Sequence, residues 1–110
     1  MQLKILQRVY AMTIYGNISL RQFPKHEKHV MVADIRRSMY ALIRLIITAN
    51  KRRNKKRYLE DIDIELDVLR TLIRLSVEPD LKYLPFQKYE TWSKMLSEIG
   101  RMLGGWMRTV

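Results

Sequence analysis

Apolar residues recur every three or four positions between residues 59 and 73, and this spacing constrains the fold more than any other feature of the sequence. Residues repeated in this way lie along one face of an α-helix and give that helix a side to bury. The stripe consists of Leu59, Ile62, Leu66, Leu69 and Ile73. The spacing therefore predicts an amphipathic helix, whose apolar side Leu72 widens.

Three other segments repeat the pattern. The second segment has Ile35, Met39, Leu42 and Ile46 at this spacing, and the fourth has Trp92, Leu96, Ile99, Leu103 and Trp106. The first segment is weaker, because its apolar face loses definition around Gly16 and Asn17. That face is marked by Leu3, Leu6, Tyr10 and Ile14. The sequence thus predicts four helices.

Turn signals separate these segments. Phe23-Pro24 ends the first, because a residue before proline is pushed out of the α region. The polar residues 50–54 form a short connection, Glu78-Pro79-Asp80 ends the third segment and Leu84-Pro85 leads into the fourth. Helices of about 20 residues span roughly 30 Å. We therefore expect an all-α, up-and-down four-helix bundle, with residues 1–110 as a single domain.

The composition excludes several other classes of protein. Four glycines and three prolines are too few for a turn-rich all-β chain, and the absence of cysteine excludes a disulfide scaffold and thiolate chemistry. The first eight residues include polar side chains where a signal peptide needs an unbroken apolar stretch. Arg44 interrupts the most apolar run, residues 42–47, so no transmembrane helix is expected. We expect a cytoplasmic protein.

The charge is large and unevenly distributed. The chain carries 21 Lys and Arg against 11 Asp and Glu, a net charge of +10. Residues 1–57 hold 14 of these cations and only 2 acids, whereas residues 58–110 hold 7 cations and 9 acids. Such an excess attracts polyanions. The candidate partners are nucleic acid, an anionic membrane surface or an acidic protein face, although a basic surface without a partner is also common.

The densest cationic cluster lies between the second and third helices. It consists of Lys51, Arg52, Arg53, Lys55, Lys56 and Arg57. At a corner of the bundle these side chains would extend into solvent and neutralise several phosphates, which predicts salt-dependent nucleic-acid binding. The alternative is a solvated connection whose cations favour the C-terminus of the preceding helix.

Further cations lie on the helices. Arg37 and Arg44 are seven residues apart and share a face of the second helix, with Arg36 beside them. On the third helix a stripe borders the apolar face and consists of Asp63, Asp67, Arg70 and Arg74. This stripe is suited to contact a neighbouring helix or subunit, or it forms a solvated face with a weak Asp67–Arg70 pair.

Glycines and surplus apolar residues indicate close packing and assembly. Gly100 and Gly104 each cost about 1 kcal/mol in a helix interior, so we expect another helix to approach them closely. The second helix is apolar over most of its circumference, which includes Ile43 and Ile47. The third helix is similarly apolar at Leu72, Ile73 and Leu75, and Trp92 and Trp106 add large side chains to the fourth. A helix that is apolar nearly all round is buried on several sides. We infer a homo-oligomer, the alternative being a thick monomeric core.

Signals for catalysis are weak. His26 and His29 are suitably spaced for a metal, but the only nearby acid is Glu27, and no Glu-x-x-His pair is present. The acidic run at residues 60–67 lacks the glycine of a calcium loop. No glycine-rich phosphate loop and no Gly-x-Ser-x-Gly motif occurs. We expect a protein that is not an enzyme and has no catalytic residue, no metal site and no cofactor.

Several stretches resemble the accessory variability determinant (Avd) proteins of diversity-generating retroelements. The most specific is Glu98-Ile99-Gly100-Arg101-Met102-Leu103-Gly104-Gly105-Trp106. Weaker similarities are Phe23-Pro24-Lys25, Ala49-Asn50-Lys51-Arg52, and Leu69-Arg70-x-Leu72-x-Arg74-Leu75. Together they extend from about residue 20 to 108. The four-helix proteins encoded by intervening sequences of bacterial 23S rRNA are wider relatives that share the Phe-Pro and Glu-Ile-Gly-Arg-Met-Leu signals.

The Avd resemblance implies a fold, an assembly and partners. It implies a basic four-helix bundle that forms a homopentameric barrel, associates with a reverse transcriptase and template RNA, and supports mutagenic cDNA synthesis. The basic residues named above, from Arg36 to Arg57, would face nucleic acid or the polymerase. Arg70 and Arg74 match an Arg-x-x-x-Arg stretch of the family, whose role there is either binding or structural. Gly100 and Gly104 would serve helix packing, and Trp106 would anchor the last helix. Two alternatives are an RNA-binding bundle of the 23S rRNA type without a polymerase partner, and a protein-binding bundle that never contacts nucleic acid.

Overall fold

The computed structural model describes residues 2–110, and in that part of the chain it contains four α-helices and no strands. They are α1 (Leu3–Ser19), α2 (Met31–Lys51), α3 (Lys56–Leu75) and α4 (Phe86–Met107). Two short 3-10 turns, Leu20–Gln22 and Lys25–Glu27, connect α1 to α2. The prediction of an all-α chain with four helices is confirmed. Each connection contains the proline or polar residues that predicted it, although α1 ends at Ser19, before Phe23-Pro24, and α3 ends at Leu75, before Glu78.

The helices form a closed square around one apolar core. Each helix packs against its neighbours in the sequence, and α4 returns to pack against α1. As a result α1 lies diagonally across the core from α3, and α2 lies diagonally across from α4. The bundle measures 43 × 24 × 20 Å. Within residues 2–110 no helix combines the length and apolar character that crossing a membrane requires.

The predicted apolar stripes of α2, α3 and α4 form the core. Every residue of these three stripes is buried. Trp92 is completely buried, and its indole N–H donates to the Met12 sulfur at 3.3 Å. Trp106 is 4% exposed. Both tryptophans therefore stabilise the single chain from inside rather than adding to its apolar surface.

The apolar face predicted for α1 is wrong. Leu3, Tyr10 and Ile14 are 51%, 64% and 50% exposed, and only Leu6 of that group packs partly against the core. The buried stripe instead consists of Ile5, Val9, Met12, Thr13, Gly16 and Ser19. Since α1 carries apolar residues on two opposite faces, periodicity alone did not distinguish the inner face from the outer one.

Gly16 explains which face of α1 turns inward. A Cβ at this position would lie 2.5 Å from the Met39 sulfur and 2.7 Å from Trp92 Cζ2, both too close for a real contact. The missing side chain therefore lets α1 approach α2 and α4 closely. The helix continues through Gly16 and Asn17 to Ser19, so the glycine marks tight packing rather than a loss of helix definition.

Side chains fix both ends of the bundle. At one end the Asn50 carboxamide accepts a hydrogen bond from Gln2 N at 2.7 Å and holds the start of α1 beside the end of α2. At the other end buried Ser76 donates to Ile73 O, and its carbonyl accepts from Tyr83 N at 2.8 Å. These contacts fix the start of α1 against the end of α2 at one end of the bundle, and the connection between α3 and α4 at the other.

Candidate nucleic-acid interface

The outer face of α2 carries a row of exposed side chains that begins with a cation. Arg37, Tyr40, Arg44, Ile47 and Lys51 follow one another at intervals of three and four and are all exposed. Because the core stripe of α2 occupies the opposite side, this row runs along the helix in solvent. Arg37 pairs with Asp34 within the same helix. Arg44 and Lys51 contribute cations to the rest of the row.

The corner between α2 and α3 presents five exposed cations. They are Lys51, Arg52, Arg53, Lys56 and Arg57. Arg52 lies 5.8 Å from the centre of the Tyr58 ring, a cation–π distance that orients its guanidinium. Among the residues described, the three ion pairs all lie elsewhere, so no carboxylate lies within ion-pair distance of a corner cation.

Lys55 differs from the other cations of the corner. Its ammonium donates to Ala49 O at 2.7 Å, to Asn50 O at 3.3 Å and to Arg52 O at 2.7 Å. These bonds satisfy carbonyls at the C-terminal end of α2, where cations are favoured by the helix dipole. Lys55 therefore caps α2 and holds the corner in shape, while its neighbours extend into solvent.

Two apolar stripes remain exposed on diagonally opposite helices. On α1 the stripe consists of Leu3, Tyr10, Ile14 and Ile18, which are 43–64% exposed. On α3 it consists of Ile64, Val68 and Leu75, which are 45–63% exposed. Both stripes lie opposite the buried residues of their helices. The surplus apolar surface expected from the sequence is thus present on α3, where it was predicted, and on α1, where it was not, whereas both tryptophans of α4 are buried.

A comparison with protein-family models decides the family. The model described as bAvd-like matches residues 3–110, which include all four helices. The chain belongs to the bAvd-like family. No curated protein matches the sequence. The resemblance to Avd proteins seen in the closing motif of α4 is therefore confirmed over almost the whole bAvd-like chain.

Within the bAvd-like chain, Arg70 connects α3 to α4. Its guanidinium donates to Leu96 O at 3.2 Å and lies 3.4 Å from Asp67. A Cβ on Gly100 would collide with this guanidinium. Gly100 therefore accommodates a side chain from α3, and Arg70 contacts the neighbouring helix, one of the two roles foreseen for it. Arg74, one turn further along, is exposed.

Gly104 of the bAvd-like chain has no close neighbour inside the described bundle. A Cβ there would meet only Arg108, at an ordinary contact distance of 3.7 Å. The close helix approach expected at Gly104 is therefore not made within this chain. Ile43, by contrast, packs partly against the core, and Ile47 is 42% exposed.

Arg36, which the sequence analysis named as a binding residue, lies in a second group of cations whose other three members it missed. Arg21, Lys25, Lys28 and Arg36 line a pocket of about 200 Å³ at the opposite end of α2 from the corner. The 3-10 turns around Phe23-Pro24 bring the first three residues beside the start of α2. In the sequence these cations are spread over 16 positions, so they form no run like residues 51–57. The feature of the sequence that could have revealed this group is the Phe-Pro turn, because it folds the chain back toward the second helix.

Proposed function

We propose that this bAvd-like chain is a non-catalytic accessory protein of a diversity-generating retroelement. It binds nucleic acid, RNA or DNA, through the corner cations and the outer face of α2, and it binds the reverse transcriptase of the element. The bound complex supports mutagenic cDNA synthesis. Family membership supports the retroelement role. The observation that carries nucleic-acid binding is the group of five exposed corner cations with no carboxylate partner among the residues described.

The electrostatics of the corner favour a phosphate backbone. Five cations that extend from one corner release counterions from several phosphates together, and this release dominates sequence-independent affinity. The Arg52 guanidinium lies over the Tyr58 ring, 5.8 Å from its centre, so a cation–π contact holds one of the five charges in place. Lys55 stabilises the backbone beneath them without using their charges. The corner is thus a fixed cationic surface without recognition of particular bases.

The two exposed apolar stripes support a homo-oligomeric ring, which the Avd resemblance makes a pentamer. An apolar stripe of this size is normally covered by a partner. Because α1 and α3 lie on diagonally opposite sides of the bundle, the α1 stripe of one copy faces the α3 stripe of the next in a head-to-tail arrangement. Such an arrangement closes into a ring when each copy is also rotated relative to the one before it. The outer faces of α2 then point to one side of the ring in every copy. Five copies multiply the charge to about +50 per particle on that arrangement.

A matched pair of charge variants tests nucleic-acid binding. The corner variant R53Q/K56Q/R57Q removes three exposed cations and leaves the Lys55 cap intact. The control K94Q/R101Q/R108Q removes three exposed cations spaced seven residues apart. Two lie on α4, which is across the core from α2, and Arg108 directly follows its last residue. Fluorescence anisotropy with a 20-nucleotide single-stranded RNA measures both variants at several salt concentrations.

We expect the corner variant to bind at least tenfold more weakly than the control at physiological salt. Its plot of log K against log salt should be less steep by about 2, since each lost phosphate contact on a single strand removes about 0.7. Equal weakening by both variants would mean that only net charge matters and would contradict a site at the corner.

Co-purification tests the polymerase part of the proposal. The tagged chain should retain the reverse transcriptase encoded beside it when both are expressed together. If no reverse transcriptase gene lies nearby, or if RNA binds while the polymerase does not, the 23S rRNA type of function is favoured instead.

A further inference from the structure

The pocket at the start of α2 combines four cations with a fixed apolar floor. Arg21, Lys25 and Lys28 are exposed around it, and Arg36 is half-buried at its side. Leu20, Phe23 and Val32 beneath them are buried in the core. The four cations therefore line a cavity of about 200 Å³ whose base consists of side chains packed in the core.

The charge of the pocket is not neutralised in the described part of the chain. None of its lining residues is a carboxylate. Glu27, the one acid of the connecting segment, accepts a hydrogen bond from Met31 N at 3.4 Å and lies outside the pocket. A hydrogen bond with Glu27 also raises the pKa of Tyr83 above its ordinary value. An anion is therefore the ligand that the pocket attracts.

Arg36 is positioned for such a ligand. Its Nε donates to the Asn17 carboxamide oxygen at 2.7 Å, which ties the side chain to α1. A guanidinium held by one nitrogen keeps its other donors for an oxygen anion, in the planar geometry that suits phosphate. The lysines add mobile point charges that accommodate a flexible strand.

The position of the pocket favours a nucleic acid over a small free anion. The pocket and the corner lie at opposite ends of α2, whose 21 residues span roughly 30 Å. Arg44 is exposed on α2 between them. Since stacked nucleotides advance about 3.4 Å each, a strand of about nine nucleotides covers that distance. A polymer of phosphates is the anion that matches charges repeated at this separation.

We propose that Arg21, Lys25, Lys28 and Arg36 form a second phosphate-binding site, which holds the nucleic acid bound at the corner and so orients the strand along α2. This inference rests on the proposed nucleic-acid function and adds a site and a direction to it. One chain then contacts the strand at two places about 30 Å apart, so the strand runs parallel to the helix instead of crossing it.

The variant R21Q/K25Q/K28Q tests this site against the same control, K94Q/R101Q/R108Q. It keeps Arg36, which also bonds to Asn17. With the 20-nucleotide RNA we expect at least a tenfold loss of affinity at physiological salt and a salt slope reduced by about 2, with little change in the control. Circular dichroism verifies that both variants keep the helical content of the unmodified protein.

The outcomes separate this inference from the function on which it rests. If the corner variant loses binding and the pocket variant behaves like the control, the second site is refuted while nucleic-acid binding stands. If both variants behave like the control, the proposed function fails as well.

Lysine acetylation of the unmodified protein gives a test that needs no variant. RNA should protect Lys25 and Lys28 from acetylation, as read by mass spectrometry, and should leave Lys94 reactive. Equal protection by inorganic phosphate alone would assign the pocket to free phosphate. Protection by vesicles rich in phosphatidylserine, but not by RNA, would assign it to a membrane surface. Either result would overturn the inference.

Discussion

Two glycines in similar helical positions have opposite roles, and the difference is visible only in their surroundings. Gly16 is buried against Met39 and Trp92, whereas Gly104 faces open space apart from Arg108. Replacing glycine with alanine in a helix interior gains about 1 kcal/mol when nothing obstructs the new methyl group. Overpacking a dense core costs about 1–3 kcal/mol.

We therefore expect Gly104→Ala to stabilise the protein by about 1 kcal/mol. Gly16→Ala should destabilise it by up to about 2 kcal/mol, which is the overpacking cost less the gain in helix propensity. Unfolding in denaturant measures both changes against the unmodified protein. A loss of stability in Gly104→Ala would contradict the first expectation and would place a neighbouring copy against that glycine.

Lys55 is the cation of the corner whose replacement should affect the fold. Its ammonium bonds to three carbonyls at the end of α2. Lys55→Gln should lower the free energy of unfolding by about 1 kcal/mol, because it removes a charged cap at a helix C-terminus. Lys56→Gln, its exposed neighbour, is the control and should change stability by less than about 0.5 kcal/mol. Equal effects in the two variants would show that the cap contributes nothing.

At the scale of the helices, the sequence predicted α2, α3 and α4 closely because each has one apolar side. Every residue of their predicted stripes is buried, and Leu84-Pro85 directly precedes α4, whereas Phe23-Pro24 lies within the 3-10 connection between α1 and α2. α1 was misread because both of its faces are apolar. Choosing between them requires knowing that Gly16 meets Met39 and Trp92, which are distant in the sequence.

The candidate interface was likewise predictable from the sequence only in part. The corner was predictable because its cations are consecutive, so any fold that exposes the connection presents them together. The pocket was not, because Arg21 and Arg36 belong to different elements and meet only after the chain turns at Pro24. The role of Lys55 as a cap also depends on the backbone of the corner, which the residue types alone do not reveal.

At the scale of the whole molecule, the two apolar stripes determine what kind of assembly is possible. If the α1 stripe of each copy binds the α3 stripe of the next, the interface is head-to-tail and every copy uses two different surfaces. If two α1 stripes instead bind each other, the assembly is a two-fold dimer. Single substitutions in exposed positions distinguish these arrangements without disturbing the core, since Tyr10 and Ile64 are 64% and 63% exposed.

We expect the unmodified protein to have a mass near five chains of 13.3 kDa each by light scattering. Tyr10→Glu and Ile64→Glu should each give monomers, because either charge removes one half of every head-to-tail contact.

When the two variants are mixed, the intact α3 stripe of Tyr10→Glu can bind the intact α1 stripe of Ile64→Glu. The mixture should therefore form dimers with one chain of each kind, in a proportion that rises over a concentration series. A dimer of Ile64→Glu alone would instead show that α1 stripes pair with each other, and a mixture that stays monomeric at every concentration would contradict the contact between α1 and α3.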